Sequence, residues 1–142
     1  MKTEIIEVRT GSREGVFDLT GECEQFVTNA TSANRDDDAS DGLLHVFVPH
    51  ATAGLVVMEL GAASDRDLLA VLAEVLPADD RWQHAHGSRG HGRSHVLPAF
   101  LPPYATIPVV NGRLALGTWQ SIALVDLNVD NHVRQVRLSF FN

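Results

Sequence analysis

Hydrophobic and polar positions recur along this chain at two periods, and the switches between them mark out its elements. Residues 3–9 follow a strand-like pattern and 16–19 form a second short run beyond a turn region at 11–15. Thr20 is placed to cap a helix over 22–30, with Glu22 and Glu24 in the first turn, where the helix dipole favours acids. Cys23, Phe26, Val27 and Ala30 recur at spacings of three and four and predict one buried stripe. Residues 43–49 and 53–59 are β-rich runs joined by Pro49-His50-Ala51-Thr52. Ser64 is a candidate cap for the next helix, with Asp67 as its capping-box partner. Leu68, Leu69, Leu72, Val75 and Leu76 form that helix's apolar face, and Pro77 ends it.

The last third is dense in β signals. Residues 106–110 and 113–116 flank Asn111-Gly112, the signature of a hairpin closed by a type I′ turn. Residues 118–127 read as a strand apolar on both faces, and 128–131 as a turn. Over 133–140, Arg134, Val136, Leu138 and Phe140 point one way, while Val133, Gln135, Arg137 and Ser139 point the other. The pattern predicts an α+β fold with antiparallel sheets and about two helices. Two stretches escape it. Residues 34–42 form an acidic, turn-rich loop whose spacing does not fit an EF-hand and which reads as solvated. Residues 78–103 are polar, and a stretch of that length in a compact domain is usually functional or disordered.

Composition narrows the classes. At 142 residues the chain reads as one domain, 1–142, long enough to bury roughly 70% of its unfolded surface. A net charge of −7 argues against general nucleic-acid binding. No apolar run is long enough to span a bilayer, and residues 1–8 carry two glutamates, which fits no secretory core; the expectation is a soluble, cytoplasmic protein. A single cysteine excludes an intrachain disulfide and a cysteine-based zinc cluster, and Cys23 reads as a small buried hydrophobe.

Seven histidines are many for this length. His84, His86, His91 and His95 share one polar stretch, and His50 sits between two apolar strands. Imidazole is the commonest side-chain metal ligand, and three with an open position is the catalytic-zinc arrangement. The alternative is a solvated histidine-rich loop. His45 reads as a packed strand residue and His132 as exposed. Glu59, ending an apolar run, is either a general base at a loop mouth or a solvated strand end. Arg134 on an apolar face needs a carboxylate partner or a bound anion. Arg93 and Arg113 add local positive charge, and Trp119-Gln120 is either a stacking wall for a planar ligand or part of the core. Neither a P-loop nor a dinucleotide fingerprint occurs.

The segment from Ile107 to Gln120, ending Gly117-Thr118-Trp119-Gln120, resembles the signature of the YjbQ-like family, also called the secondary thiamine-phosphate synthase family. Val46 to Leu55 resembles its HTTA strand-loop, followed by Glu59 at its glutamate position. Trp82-Gln83-His84 and Ser94-His95-Val96 resemble its two loop-histidine positions, and the similarity runs from about residue 3 to 140. The resemblance implies a distorted sandwich of packed antiparallel sheets assembled as a homotrimer. It implies a divalent metal, zinc by ligand type, held by His50, His84 and His95 near a subunit boundary, with His86 and His91 as further loop candidates. Glu59 would be the catalytic carboxylate. Arg113, Thr118, Trp119 and Gln120, joined by Arg134, would bind a small, phosphorylated substrate. The chain departs from the family at Ala51, usually Thr, at Met58, often Asn, and at Asp126, often Glu. Three functions follow: a weak thiamine-phosphate synthase, a zinc-dependent hydrolase or lyase, and a non-catalytic metal- or metabolite-binding trimer.

Overall fold

The computed structural model describes residues 1–32 and 40–142. In chain order the described elements are β1 (Lys2–Arg9), β2 (Gly15–Asp18), α1 (Thr20–Ser32), β3 (Gly42–Phe47), β4 (Ala53–Met58), α2 (Ser64–Val75), α3 (His91–Ser94), a 3-10 turn (Leu97–Ala99), β5 (Tyr104–Val110), β6 (Arg113–Leu114), β7 (Ser121–Asp126) and β8 (Val133–Phe141). The fold is α+β. A five-stranded antiparallel sheet runs β1-β8-β3-β5-β6 and a three-stranded antiparallel sheet runs β2-β7-β4. The acidic loop predicted at 34–42 lies mostly outside the described residues. At its end, Asp41 Oδ1 accepts the Asn111 N–H at 2.6 Å.

Two cores explain the two kinds of strand. The five-stranded sheet buries one face, Leu44 and Val46 of β3 with Val136, Leu138 and Phe140 of β8, against Leu55, Ile122 and Leu124 of the smaller sheet and against α1. The stripe of Cys23, Phe26, Val27 and Ala30 supplies the helix's share, as its spacing predicts. Burial pushes the Cys23 thiol up to about 12, so it stays protonated packing material. Val125 and Leu127 point to the other side of the smaller sheet and meet Leu72, Leu76 and Leu97. Because β7 lies between two cores, it is buried on both faces, and its sequence is a continuous apolar run.

Several local expectations are corrected. Thr20 does not cap α1 but is its first residue: Asp18 Oδ1 accepts the Thr20 N–H at 2.9 Å and its hydroxyl at 2.6 Å. That hydroxyl in turn accepts the Ile122 N–H of β7 at 3.0 Å. Ser64 likewise lies inside α2, behind Ala63 at φ 70°, and no side chain caps that helix. Val75 is half exposed, since it lies about 60° round the helix from Leu72, at the rim of the stripe. The strand expected from 118 starts at Ser121, because 117–120 form a turn in which the Gln120 N–H donates to the Gly117 carbonyl and Gln120 Oε1 accepts the Gly117 N–H. The polar stretch 78–103 is not featureless: it holds α3 and the 3-10 turn. The hairpin forms as expected, with φ of 52° at Asn111 and 71° at Gly112.

Candidate metal centre

Two short patterns build the centre. His84 and His86 are two residues apart, the spacing that returns a side chain to the same side of a non-helical chain. His91 and His95 are four apart on α3 and its C-terminal cap, the spacing that stacks side chains on one helical face. The turn at 87–90 folds the second pair back onto the first. Ring centroids then lie 4.0 Å apart for His84 and His95, 4.3 Å for His84 and His86, and 4.6 Å for His86 and His91. One nitrogen from each of the four imidazoles falls within 4.8 Å of all the others. The approach is close enough that a Cβ at Gly92 would stand 2.5 Å from Trp82 Cβ and 2.6 Å from the His84 carbonyl oxygen.

The segment is pinned from below. Arg93 is buried and donates to the Leu76 carbonyl at 3.0 Å and to Glu14. Trp82 Nε1 donates to the Pro77 carbonyl at 2.9 Å, and Ser94 Oγ to the His91 carbonyl at 2.7 Å. Leu97 anchors the following turn in the second core. The imidazoles of His84, His86 and His95 remain exposed above this base, with His91 intermediate.

The donor set fits a divalent metal. Zinc–nitrogen bonds of 2.0–2.1 Å place two ligating nitrogens of a tetrahedral set about 3.3 Å apart. His91 Nε2 and His95 Nε2 are 3.1 Å apart. His91 Nδ1 is 2.7 Å from Asp130 Oδ2, the carboxylate–histidine contact that orients metal ligands. Partial desolvation among the packed rings first, then the neighbouring imidazoles of His84, His91 and His86, hold the His95 pKa below its ordinary value, which favours the neutral form a ligand needs. The Asp130 carboxyl is held below the usual range by the Ser88 N–H and by His91, so it stays charged. Four nitrogen donors without a thiolate suit zinc and similar transition metals rather than magnesium or calcium.

His50 is not one of the four. Its Nε2 accepts the Gln135 N–H at 3.0 Å, leaving Nδ1 as its remaining donor or ligand. Burial and the Arg134 guanidinium hold its pKa down. Arg134 is 1% exposed and forms a two-pronged ion pair with the fully buried Asp126, at 2.7 and 2.9 Å. Of the two requirements set by its apolar face, the carboxylate partner is the one the structure provides. Glu59, Arg113, Thr118, Trp119 and Gln120 are all exposed. Met58 pairs with Ser121, so Glu59 and the 117–120 turn share one end of β7. Asp130 and the histidines lie beyond the other end, about 20 Å of strand away. His45 lies on the outer face of the larger sheet with Nδ1 2.9 Å from Thr106 Oγ1, and His132 is exposed. The sequence groups these four histidines in one polar stretch, with His86 and His91 as further candidates, and the structure brings their rings together. The paired spacings His84-x-His86 and His91-x-x-x-His95 were the available signal.

Comparison with known proteins gives a consistent picture. Residues 4–142 match the family described as "UPF0047 protein YjbQ-like". A UPF0047 protein of Mycobacterium tuberculosis is 52% identical over 140 residues, covering 99% of this chain and 98% of that protein. A YbjQ-like protein of unknown function from Sulfolobus solfataricus superposes with a TM-score of 0.85 at 27% identity, covering 98% of this chain and 95% of its own. A hypothetical protein from Aeropyrum pernix superposes with a TM-score of 0.85 at 31% identity, covering 100% and 99%.

Proposed function

Taking as premise that the chain belongs to the UPF0047 YjbQ-like family, we propose that it is a metal-dependent enzyme acting on a small molecule, with zinc held by the loop histidines. The observation that carries this is the convergence of His84, His86, His91 and His95, one of them oriented by Asp130. Zinc bound by three imidazoles with a position left open supplies Lewis-acid activation of water or of a substrate oxygen. The fourth imidazole is then left beside the metal as a further nitrogen donor or base. The donor chemistry supports hydrolysis or elimination better than diphosphate departure, which magnesium and oxygen ligands usually assist. Thiamine-phosphate synthase activity is a weak side reaction on this reading.

The separation of the two groups of residues bears on assembly. The cleft beside the histidines is about 140 Å³, small against the 300–1,000 Å³ of an ordinary ligand pocket. Glu59, Thr118, Trp119 and Gln120 sit beyond the opposite end of β7, while Arg113 lies on the edge strand β6 of the larger sheet. A homotrimer in which this end of one copy approaches the histidines of the next supplies the missing wall, and Glu59 then serves as the carboxylate of a composite site. A second reading has one specific support: four imidazoles can close a tetrahedral shell, and a closed shell marks a structural rather than a catalytic metal.

Turnover before and after chelation decides between them. The test uses a phosphate ester, a carboxylic ester, and the pyrimidine and thiazole precursors of thiamine phosphate. The enzyme reading expects hydrolysis that disappears on chelation and returns with zinc. Metal-loaded protein without turnover in any of these assays supports the closed, non-catalytic centre, and turnover indifferent to chelation contradicts both.

A further inference from the structure

We propose that Asp130 is a positioning residue for the histidine cluster: it holds His91 as the Nδ1–H tautomer and so turns the Nε2 lone pair toward the other imidazoles. The inference deepens the metal-centre reading and rests on it for its effect on affinity, but not for the tautomer itself.

Asp130 Oδ2 gathers three donors: the Ser88 N–H at 3.0 Å, the Ser88 hydroxyl at 3.0 Å and His91 Nδ1 at 2.7 Å. A carboxylate can only accept, so the proton of that last bond belongs to His91 Nδ1. His91 Nε2 then carries a lone pair, and at 3.1 Å it faces His95 Nε2, which must be the donor of that contact. The carboxylate is itself braced from the core. Arg134 holds Asp126, Asp126 Oδ1 accepts the Asn128 N–H at 2.8 Å, and Asn128 Oδ1 accepts the Asp130 N–H at 2.8 Å. The ion pair at the end of β7 thereby fixes the turn that presents Asp130. Gly87 keeps the contact open: a Cβ there would stand 2.7 Å from both Asp130 Oδ2 and His91 Nδ1.

Nitrogen-15 NMR of the histidine rings, together with zinc affinity by chelator competition, tests the proposal on the full chain. The wild type is expected to show His91 as Nδ1–H without metal. Asp130→Ala should shift His91 toward the Nε2–H form usual for free imidazole and weaken zinc binding about 10–100-fold with an unchanged far-ultraviolet spectrum. Asp130→Asn retains an acceptor oxygen and should restore the tautomer and most of the affinity, which a merely structural role would not distinguish from Ala. Gly87→Ala should mimic Asp130→Ala. A wild-type His91 in the Nε2–H form, or a tautomer or zinc affinity unmoved by Asp130→Ala, overturns the proposal. If the wild type binds no zinc, the metal reading falls, and the tautomer alone then upholds or overturns the role of Asp130.

Discussion

Replacing Asp126 with alanine removes the counter-charge of an arginine that has nowhere else to go. The Arg134 guanidinium is 1% exposed and its two short bonds both end on Asp126, itself fully buried. Breaking one side of a buried pair costs about 3–5 kcal/mol, because the remaining charge is left without water or partner. At 1.36 kcal/mol per tenfold, that is roughly a hundred- to several-thousand-fold in the folding equilibrium, out of a total stability of about 5–15 kcal/mol. With a urea slope of about 2 kcal/mol per molar, the unfolding midpoint of Asp126→Ala should fall by about 2 M. The double variant Asp126→Leu with Arg134→Met should recover most of the loss, since paired apolar replacement of a buried ion pair is often near neutral. It should not recover all of it, because the Asn128 N–H also donates to Asp126 and loses its acceptor, at about 1–3 kcal/mol. Equilibrium urea unfolding followed by tryptophan fluorescence reads all three proteins. A cost below about 1 kcal/mol for Asp126→Ala would refute the reasoning, and would free Arg134 for the anion-binding role its sequence position also allowed.

Gly92→Ala should destabilise by about 1–3 kcal/mol and weaken metal binding together, since its Cβ meets Trp82 and the His84 carbonyl; a thermal melt and a zinc titration check both. Stability of the metal-free protein should decline as pH falls from about 7.5 to 5.5, because His50 and His95 have folded-state values below 6.5, so the unfolded chain takes up protons first. Flat or rising stability across that window would contradict the assignment, and the depressed Asp130 carboxyl adds its own loss only at more acid pH. Trp119→Ala should change stability by no more than about 0.5 kcal/mol, because the indole is 73% exposed, yet lower turnover if the 117–120 turn forms a substrate wall.

The strands and their faces were legible because burial writes its period directly into the chain. The alternation of β8 placed Arg134, Val136, Leu138 and Phe140 on the inner face, and the unbroken apolar run of β7 announced a strand between two cores. Helix caps were less legible. Thr20 and Ser64 are good capping residues by type, but Thr20 is already helical with its N–H and hydroxyl held by Asp18, and Ala63 holds the N-cap position of α2 through its backbone angle alone. The strand over-extension to Thr118 has a similar cause: Gly117 and Gln120 close a local turn that competes with the ladder. Of the histidine cluster, the sequence marked the segment and its four candidates but not that the four rings converge. His50 and the loop histidines look alike as residue types, and only the fold shows that Gln135 occupies one nitrogen of His50 while α3 turns His91 toward His95. Asp130 was invisible because its partner lies 39 residues away.

The central claim is that the four loop histidines form the metal centre, and metal content by mass spectrometry after zinc loading and desalting tests it most directly. The account predicts about one zinc per chain in the wild type and in His50→Ala, with the metal lost in His84→Ala and His91→Ala. A wild type that retains no metal, or a metal that survives His91→Ala and disappears with His50→Ala, would contradict it.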